Sequence, residues 1–410
     1  MRTRLTCRIC GAADFVQYID LTDQPPSNSF IRPDQVAAER RFPLKVYLCR
    51  ACGLSQLVDV VSSRDIFDDY AYLSSTSRAL CNHYRGLVAA ALNRFAPPAG
   101  GLIADIGCND GIMLNLYPGA RYRLLGIEPS SAGEMARRAG FEVINEFFGA
   151  ELGARLVKSH GPTAMVTTTN VFAHVDDIRD FTAGVATWLA ADGIWILEFP
   201  YVVDMVEHCY FDTIYHEHLS YFGLTPLTRL FADYGLRAFQ VERIEIGASG
   251  PALRLFVCRR DAAHRDHPSI ATMLVTEKEW GITDPARYQA FAQRAAAVRG
   301  RILDLLASLK RCGDSIVAYC APAKGNTLLN YLGVGPSDIL AVSDNNAIKV
   351  GKVTPGSHIP VVTDEALLAI GARHALLLAW NYADFFLANS EFIKRGGRFI
   401  IPLPDPIIRP

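Results

Sequence analysis

The chain alternates short apolar runs with longer stretches of helical spacing, the pattern of buried parallel strands joined by crossover helices. Residues 80–95 read as a helix, closed by Pro97-Pro98 and Gly100-Gly101. Apolar runs at 103–106, 123–127, 164–168 and 193–199 predict strands of a parallel, doubly wound sheet. A further run at 253–258 fits the end of that sheet. Residues 285–310 carry Ala and Leu on one side and Arg on the other until Gly313 stops the helix. This helix is expected to bridge to a second βα series, with strands at 315–320, 339–343, 375–379 and 398–401.

The length, 410 residues, calls for two or three domains. The expected division is 1–70, 71–275 and 276–410: a small cysteine-bearing module followed by two Rossmann-like α/β units. Half the residues are hydrophobic and a fifth are charged, as in a well-buried enzyme. A net charge of -1 gives no general electrostatic reason to bind nucleic acid or an anionic membrane. No apolar run approaches the roughly 20 residues that span a bilayer. The segment from Met1 to Cys7 lacks the apolar core of a secretion signal. A cytoplasmic protein is expected, its ten cysteines being thiols or metal ligands.

Cys7-Arg-Ile-Cys10-Gly and Cys49-Arg-Ala-Cys52-Gly share one C-x-x-C-G form. Four thiolates suit a closed tetrahedral zinc site, and each glycine permits the tight turn that aims backbone N–H groups at sulfur. Two redox dithiols or four ordinary buried cysteines are the other readings. With four sulfur ligands no position is open for chemistry, so the zinc is expected to be structural.

Residues 102–128 hold a buried strand, the turn Gly107-Cys108-Asn109-Asp110-Gly111, a helical stretch and a second strand ending on Glu128. A glycine turn lets a ligand approach the backbone, and a carboxylate ending the next strand can accept both hydroxyls of a ribose. The turn lacks the third glycine of G-x-G-x-x-G, which counts against a nicotinamide cofactor. Asp-x-Gly-x-x-x-Gly with a following acid resembles the first two motifs of class I S-adenosylmethionine (SAM) methyltransferases. That resemblance implies Gly107 and the adjoining backbone, Asn109 included, against the methionine part of SAM, with Glu128 on the ribose. Asn170, ending the strand at 164–168, sits where ligands of open α/β sheets bind, and Asn145 is placed to approach the adenine.

Thr213-Ile-Tyr215-His216-Glu217-His218-Leu-Ser-Tyr221-Phe222 places two imidazoles, a carboxylate and two phenols in ten residues. They suit zinc ligation, satisfied core polarity or acid–base work; a third metal ligand is not obvious nearby, and imidazole is matched to proton abstraction near neutral pH. If the segment is extended, Glu217 points away from His218; in a helical turn Tyr215 and His218 share a face. With this cluster, the cysteine pairs, Tyr70-Ala-Tyr72-Leu-Ser-Ser-Thr-Ser, Ala321-Pro-Ala-Lys-Gly-Asn-Thr and Ser343-Asp-Asn-Asn, the whole chain resembles the nucleotide-sugar C-methyltransferases. These SAM-dependent enzymes methylate C-3, or in some members C-5, of 4-keto-6-deoxy sugars on a nucleoside diphosphate. The resemblance implies His218 as base, Glu217 orienting or relaying, and Tyr215, His174 and Tyr72 on the keto oxygen or sugar hydroxyls. It also implies nucleotide-sugar contacts, TDP-linked by preference, from Lys324, Asn326, His216 and Asp344. Read without it, Lys324 beside a helix start and Asp344 ending a strand would make a weak NAD site. The loop from Gly247 to Arg254 departs from the family's Gly-Gly-Ser-x-Arg by its length and proline, which sets aside sugar contacts from that loop. The competing readings are an NAD-dependent sugar dehydrogenase or epimerase, an O- or N-methyltransferase, and a zinc-containing scaffold. A monomer or weak oligomer is expected.

Overall fold

The computed structural model describes residues 1–62, 74–76, 78–247 and 250–410. Tyr72 lies outside the described residues. The N-terminal unit is built on β1 (Arg2–Thr3), β2 (Phe15–Gln24), β3 (Phe42–Cys49), β4 (Ser55–Leu57) and β5 (Asp59–Val60). Strand β3 alternates strictly, with Phe42, Leu44, Val46 and Leu48 buried and the residues between them half-buried. That period of two forms a half-covered strand, and β2 and β4 flank it antiparallel.

The central sheet takes β6 (Leu102–Ile106), β7 (Arg123–Ile127), β8 (Glu142–Ile144), β9 (Thr163–Thr169) and β10 (Leu189–Pro200), all parallel. All five residues of β6 are buried, as expected of a strand covered on both faces. Two-residue β11 (Ser220–Tyr221) leaves this unit and pairs antiparallel with β4 of the N-terminal sheet. Strands β12 (Leu236–Gly247) and β13 (Gly250–Arg259) return as an antiparallel hairpin, giving the order β12-β13-β10-β9-β6-β7-β8. The run at 253–258 is therefore the penultimate strand, not the end; β12 covers it, and its alternation of Arg237, Gln240 and Glu242 with buried Ala238 and Val241 suits an edge.

The third sheet holds β14 (Ile316–Tyr319), β15 (Val342–Ser343), β16 (Val361–Val362), β17 (His374–Leu377), β18 (Arg398–Ile401) and β19 (Ile407–Arg409) in the order β16-β15-β14-β17-β18-β19. All are parallel except β19. Helix Pro285–Arg311 starts with Asp284 accepting from Ala286 N at 3.0 Å and Pro285 in the first turn. Its buried stripe, Tyr288, Phe291, Ala295, Val298, Ile302 and Leu306, steps by three and four residues and packs on β2 and β14. Helix Ser269–Trp280 runs across the expected division at 275. One continuous core joins Leu44 and Val46, Leu197 and Trp195, and Val317 and Leu376. No helix among the described residues is long and apolar enough to cross a membrane.

Candidate active site

The chain leaves β6 through Gly107, whose φ of 76° is cheap only for glycine and whose missing Cβ makes room for Val171. Gly107 N and Cys108 N both donate to Ile127 O, at 2.7 and 3.2 Å, which locks the turn to β7. Glu128, directly after β7, accepts one backbone N–H on each oxygen, from Asn109 and from Ser130, both at 2.9 Å. The carboxylate is thus aimed while each oxygen keeps a lone pair for a ligand hydroxyl. Asp105, the penultimate residue of β6, accepts from Thr167 Oγ1 at 2.6 Å and is pushed up to about 7 by burial. Asn170, at φ 55° past the end of β9, has a buried Nδ2 with no hydrogen-bond partner among the described residues.

These groups line one cavity of about 690 Å³ together with His174, His216 and Glu217. Its size suits a nucleoside cofactor. Two carboxylates suit a ligand carrying a sulfonium and an ammonium, and the orphaned Asn170 amide calls for an acceptor. SAM fits: Gly107, Asn109, Glu128 and Asn170 would hold it, and when bound it supplies an electrophilic methyl group. Asn145 does not line the cavity; its Nδ2 donates to the carbonyls of Glu128 and Ser130 at 2.7 and 3.3 Å and so braces the turn. Phe147 and Phe148, just beyond, do line it, with Phe147 64% exposed. They were not singled out from the sequence; the adjacent aromatic pair Phe147-Phe148 was the signal available.

The segment Tyr215-His216-Glu217-His218 forms a tight turn, with His218 N donating to Tyr215 O at 2.9 Å. Tyr215 and His218 therefore share a face, their rings 3.9 Å apart and Tyr215 Oη 2.7 Å from His218 Nε2. His218 Nδ1 lies 2.9 Å from Thr213 O. A carbonyl only accepts, so Nδ1 carries the hydrogen and Nε2 offers a lone pair to the Tyr215 hydroxyl. Burial and the neighbouring His174 hold His218 well below the usual imidazole range, so it is neutral. His174 lines the cavity, meets His218 edge-on with ring centroids 4.9 Å apart, and is lowered to about 4 by burial.

The expectation that Glu217 orients His218 gives way to a different arrangement. Glu217 Oε1 accepts from Asn28 Nδ2 at 3.1 Å, and among the described residues it forms no hydrogen bond to His218. The turn that joins residues three apart sends the intervening side chain elsewhere. Burial raises the Glu217 carboxyl, and its Oε2 is buried and unpartnered at the cavity wall. His216 Nε2 points at the carbonyls of Phe42 and Pro43, 3.2 and 3.3 Å away, and burial lowers it to about 4.

On the C-terminal side, Lys324 opens helix Ala323–Leu332 and is buried. Its ammonium donates to Asn381 Oδ1 and sits 4.1 Å over the Trp380 ring, while Trp380 Nε1 donates to Asp212 Oδ2 at 2.6 Å. Burial lowers Lys324 to about 8, opposed by Asp212. Asn326 Nδ2 donates to Ser27 O at 2.7 Å, and Thr327 Oγ1 donates to Ile214 O at 3.1 Å. Asp344 is already engaged by Ala321 N, Asn346 N and Lys349 Nζ at 3.1, 2.8 and 3.0 Å; it closes its own turn. Asn28 and Asp212 carry no sequence signal, because their partners lie far along the chain.

Cys7, Cys10, Cys49 and Cys52 bring their sulfurs within 4.8 Å of one another, the compact donor set that tetrahedral zinc takes. Gly11 and Gly53, at φ 71° and 81°, close the two knuckles. Zinc held there is structural.

A class I sheet with an antiparallel hairpin, a cofactor cleft at its carboxyl edge and an attached zinc unit defines a SAM-dependent methyltransferase. Family models match in three stretches: a zinc binding domain at 7–67, a methyltransferase domain at 81–241 and a C-methyltransferase C-terminal domain at 247–404. The chain is 35% identical over 403 residues to C-methyltransferase NovU of Streptomyces niveus, covering 98% of this chain and 96% of that one. It belongs to this C-methyltransferase family. Among solved structures, magnesium protoporphyrin IX methyltransferase of Synechocystis with bound SAM matches at 16% identity, TM-score 0.33, over 44% of this chain and 79% of its own. A SAM-dependent methyltransferase of Anabaena variabilis matches at 15% identity, TM-score 0.34, over 44% and 86%.

Proposed function

We propose that this C-methyltransferase acts on a small molecule whose target carbon lies beside a ketone: C-3, or C-5, of a 4-keto-6-deoxy sugar on a nucleoside diphosphate, TDP by preference. The 4-ketone acidifies the neighbouring C–H, and the carbanion formed as an enolate is the nucleophile that C-methylation requires. The observation that carries this reading is the chain Thr213 O, His218, Tyr215 Oη, which holds one imidazole neutral with an aimed lone pair. In this reading His218 takes the ring proton, and Tyr215 turns its hydroxyl from Nε2 to the keto oxygen. In this reading His174 and Glu217, both at the cavity wall, face the developing oxyanion, and the Glu217 carboxyl serves in the protonated form that its burial favours. The motif that Tyr72 belongs to supports a sugar contact from that residue. Lys324 supplies a cation beside a helix start for the diphosphate, and Asn326 and His216 shape the same region.

The reading divides labour among residues 1–70 for zinc, 71–275 for SAM and 276–410 for the nucleotide-sugar. It places the enzyme in the cytoplasm as a monomer or weak oligomer. The test is incubation in deuterated water with methyl-labelled SAM and a panel of nucleotide 4-keto sugars. One member should exchange a ring proton without SAM and gain a methyl on that carbon with it. Methylation at oxygen or nitrogen without exchange, or no reaction across the panel, overturns the reading.

A further inference from the structure

We infer that Arg8, the residue inside the first cysteine knuckle, is a positioning residue for the cofactor cleft, so that zinc binding and cofactor binding are thermodynamically coupled. Arg8 stands between two ligands, Cys7 and Cys10, so its backbone moves with the metal site. Its side chain is fully buried. Nη1 donates to Leu57 O at 2.5 Å, and Nε and Nη2 donate to Asp176 Oδ1 at 3.3 and 3.1 Å. The backbone N–H of Arg8 is fixed in turn by Gln56 Oε1 at 3.0 Å.

Asp176 lies in the wall of the cofactor cavity, in the run from Val171 to Asp177 that includes His174. The next residue, Asp177, caps helix Ile178–Trp188, whose Asp180 and Phe181 also face the cavity. A second tie runs the opposite way: Arg179 Nη1, on that helix, donates to Ile9 O in the middle of the knuckle at 2.7 Å. The knuckle thus grips the cleft wall through one side chain and one carbonyl. A buried guanidinium has no cheap alternative partner, so displacement of the knuckle costs Asp176 its one fully buried cation and leaves it to Arg2 and Arg4, which are more exposed. Each site therefore selects the same arrangement of the shared wall, and linkage makes the effect reciprocal.

Zinc affinity of the full chain, measured by competition with a chromogenic chelator, tests this with and without S-adenosylhomocysteine. Saturating S-adenosylhomocysteine should tighten zinc about tenfold, and zinc should tighten S-adenosylhomocysteine by the same factor in calorimetry. In Arg8→Met that ratio should fall to about one. Arg179→Met, on a partly exposed side chain, should lower it by part of that amount and serves if the first variant does not fold. A ratio of one in the parent protein, or an unchanged ratio in the folded variants, overturns the inference.

Discussion

At the scale of single residues, the proposed reaction rests on the neutral imidazole of His218, and cofactor binding is open to test at Asp105, which lines the cavity. If His218 is the base, His218→Asn should lower kcat by about 10²- to 10⁴-fold while S-adenosylhomocysteine affinity, read by calorimetry, stays within about twofold. Asp105 gives a pH dependence whose sign follows from its position. Burial raises it to about 7, so it is protonated below that pH and ionised above. A cofactor ammonium prefers the ionised form. Affinity for S-adenosylhomocysteine should therefore rise between pH 6 and 8 by up to about tenfold, and Asp105→Asn should flatten that rise. Some of these placements were readable from residue types and spacing: Gly107 and Glu128 lie at the cavity, and the four cysteines come together. Others were not: Asn28 meets Glu217 across 189 residues, and nothing local to either marks the pair.

At the scale of elements, the carboxyl edge of the central sheet is braced by a buried charge network. Glu198 on β10 is fully buried and receives Arg254 of β13 at 2.9 and 2.7 Å and His83 of helix Arg78–Phe95 at 2.6 Å. Burial pushes the Glu198 carboxyl up, but His83 and Arg254 outweigh it and the net shift is downward. Its stabilising contribution is thus present above the unfolded carboxylate range and lost as pH falls. Arg254→Met should destabilise by about 3–5 kcal/mol in chemical denaturation, and a Glu198→Gln/Arg254→Met pair by less than the sum of the single changes. Strands buried on both faces, such as β6 and β10, were legible as continuous apolar runs. Strand β12 was not, because an edge strand alternates charged and apolar positions and carries a bulge between Ala238 and Gln240. Two-residue β11 has no pattern of its own; only its partner β4 makes it a strand. The turn at Tyr215–His218 was open between two geometries, since four residues are too few to show a period.

At the scale of the whole molecule, the three larger sheets of the described residues share one core, and the zinc unit is packed into it. Chelation should accordingly lower the melting temperature of the entire chain by more than about 5 °C, seen in calorimetry as a single shifted transition. Two separable transitions would show the N-terminal unit melting alone. The segment 214–218 is gripped from both ends of the polypeptide: Asn28 holds Glu217, Thr327 holds Ile214, and Ser27 Oγ lies 3.2 Å from Thr327 Oγ1. For protein engineering this means that swapping C-terminal halves between related enzymes exchanges only one jaw of a clamp. A functional hybrid must inherit the Ser27-Asn28 corner and helix Ala323–Leu332 from the same parent, however distant the two are along the gene.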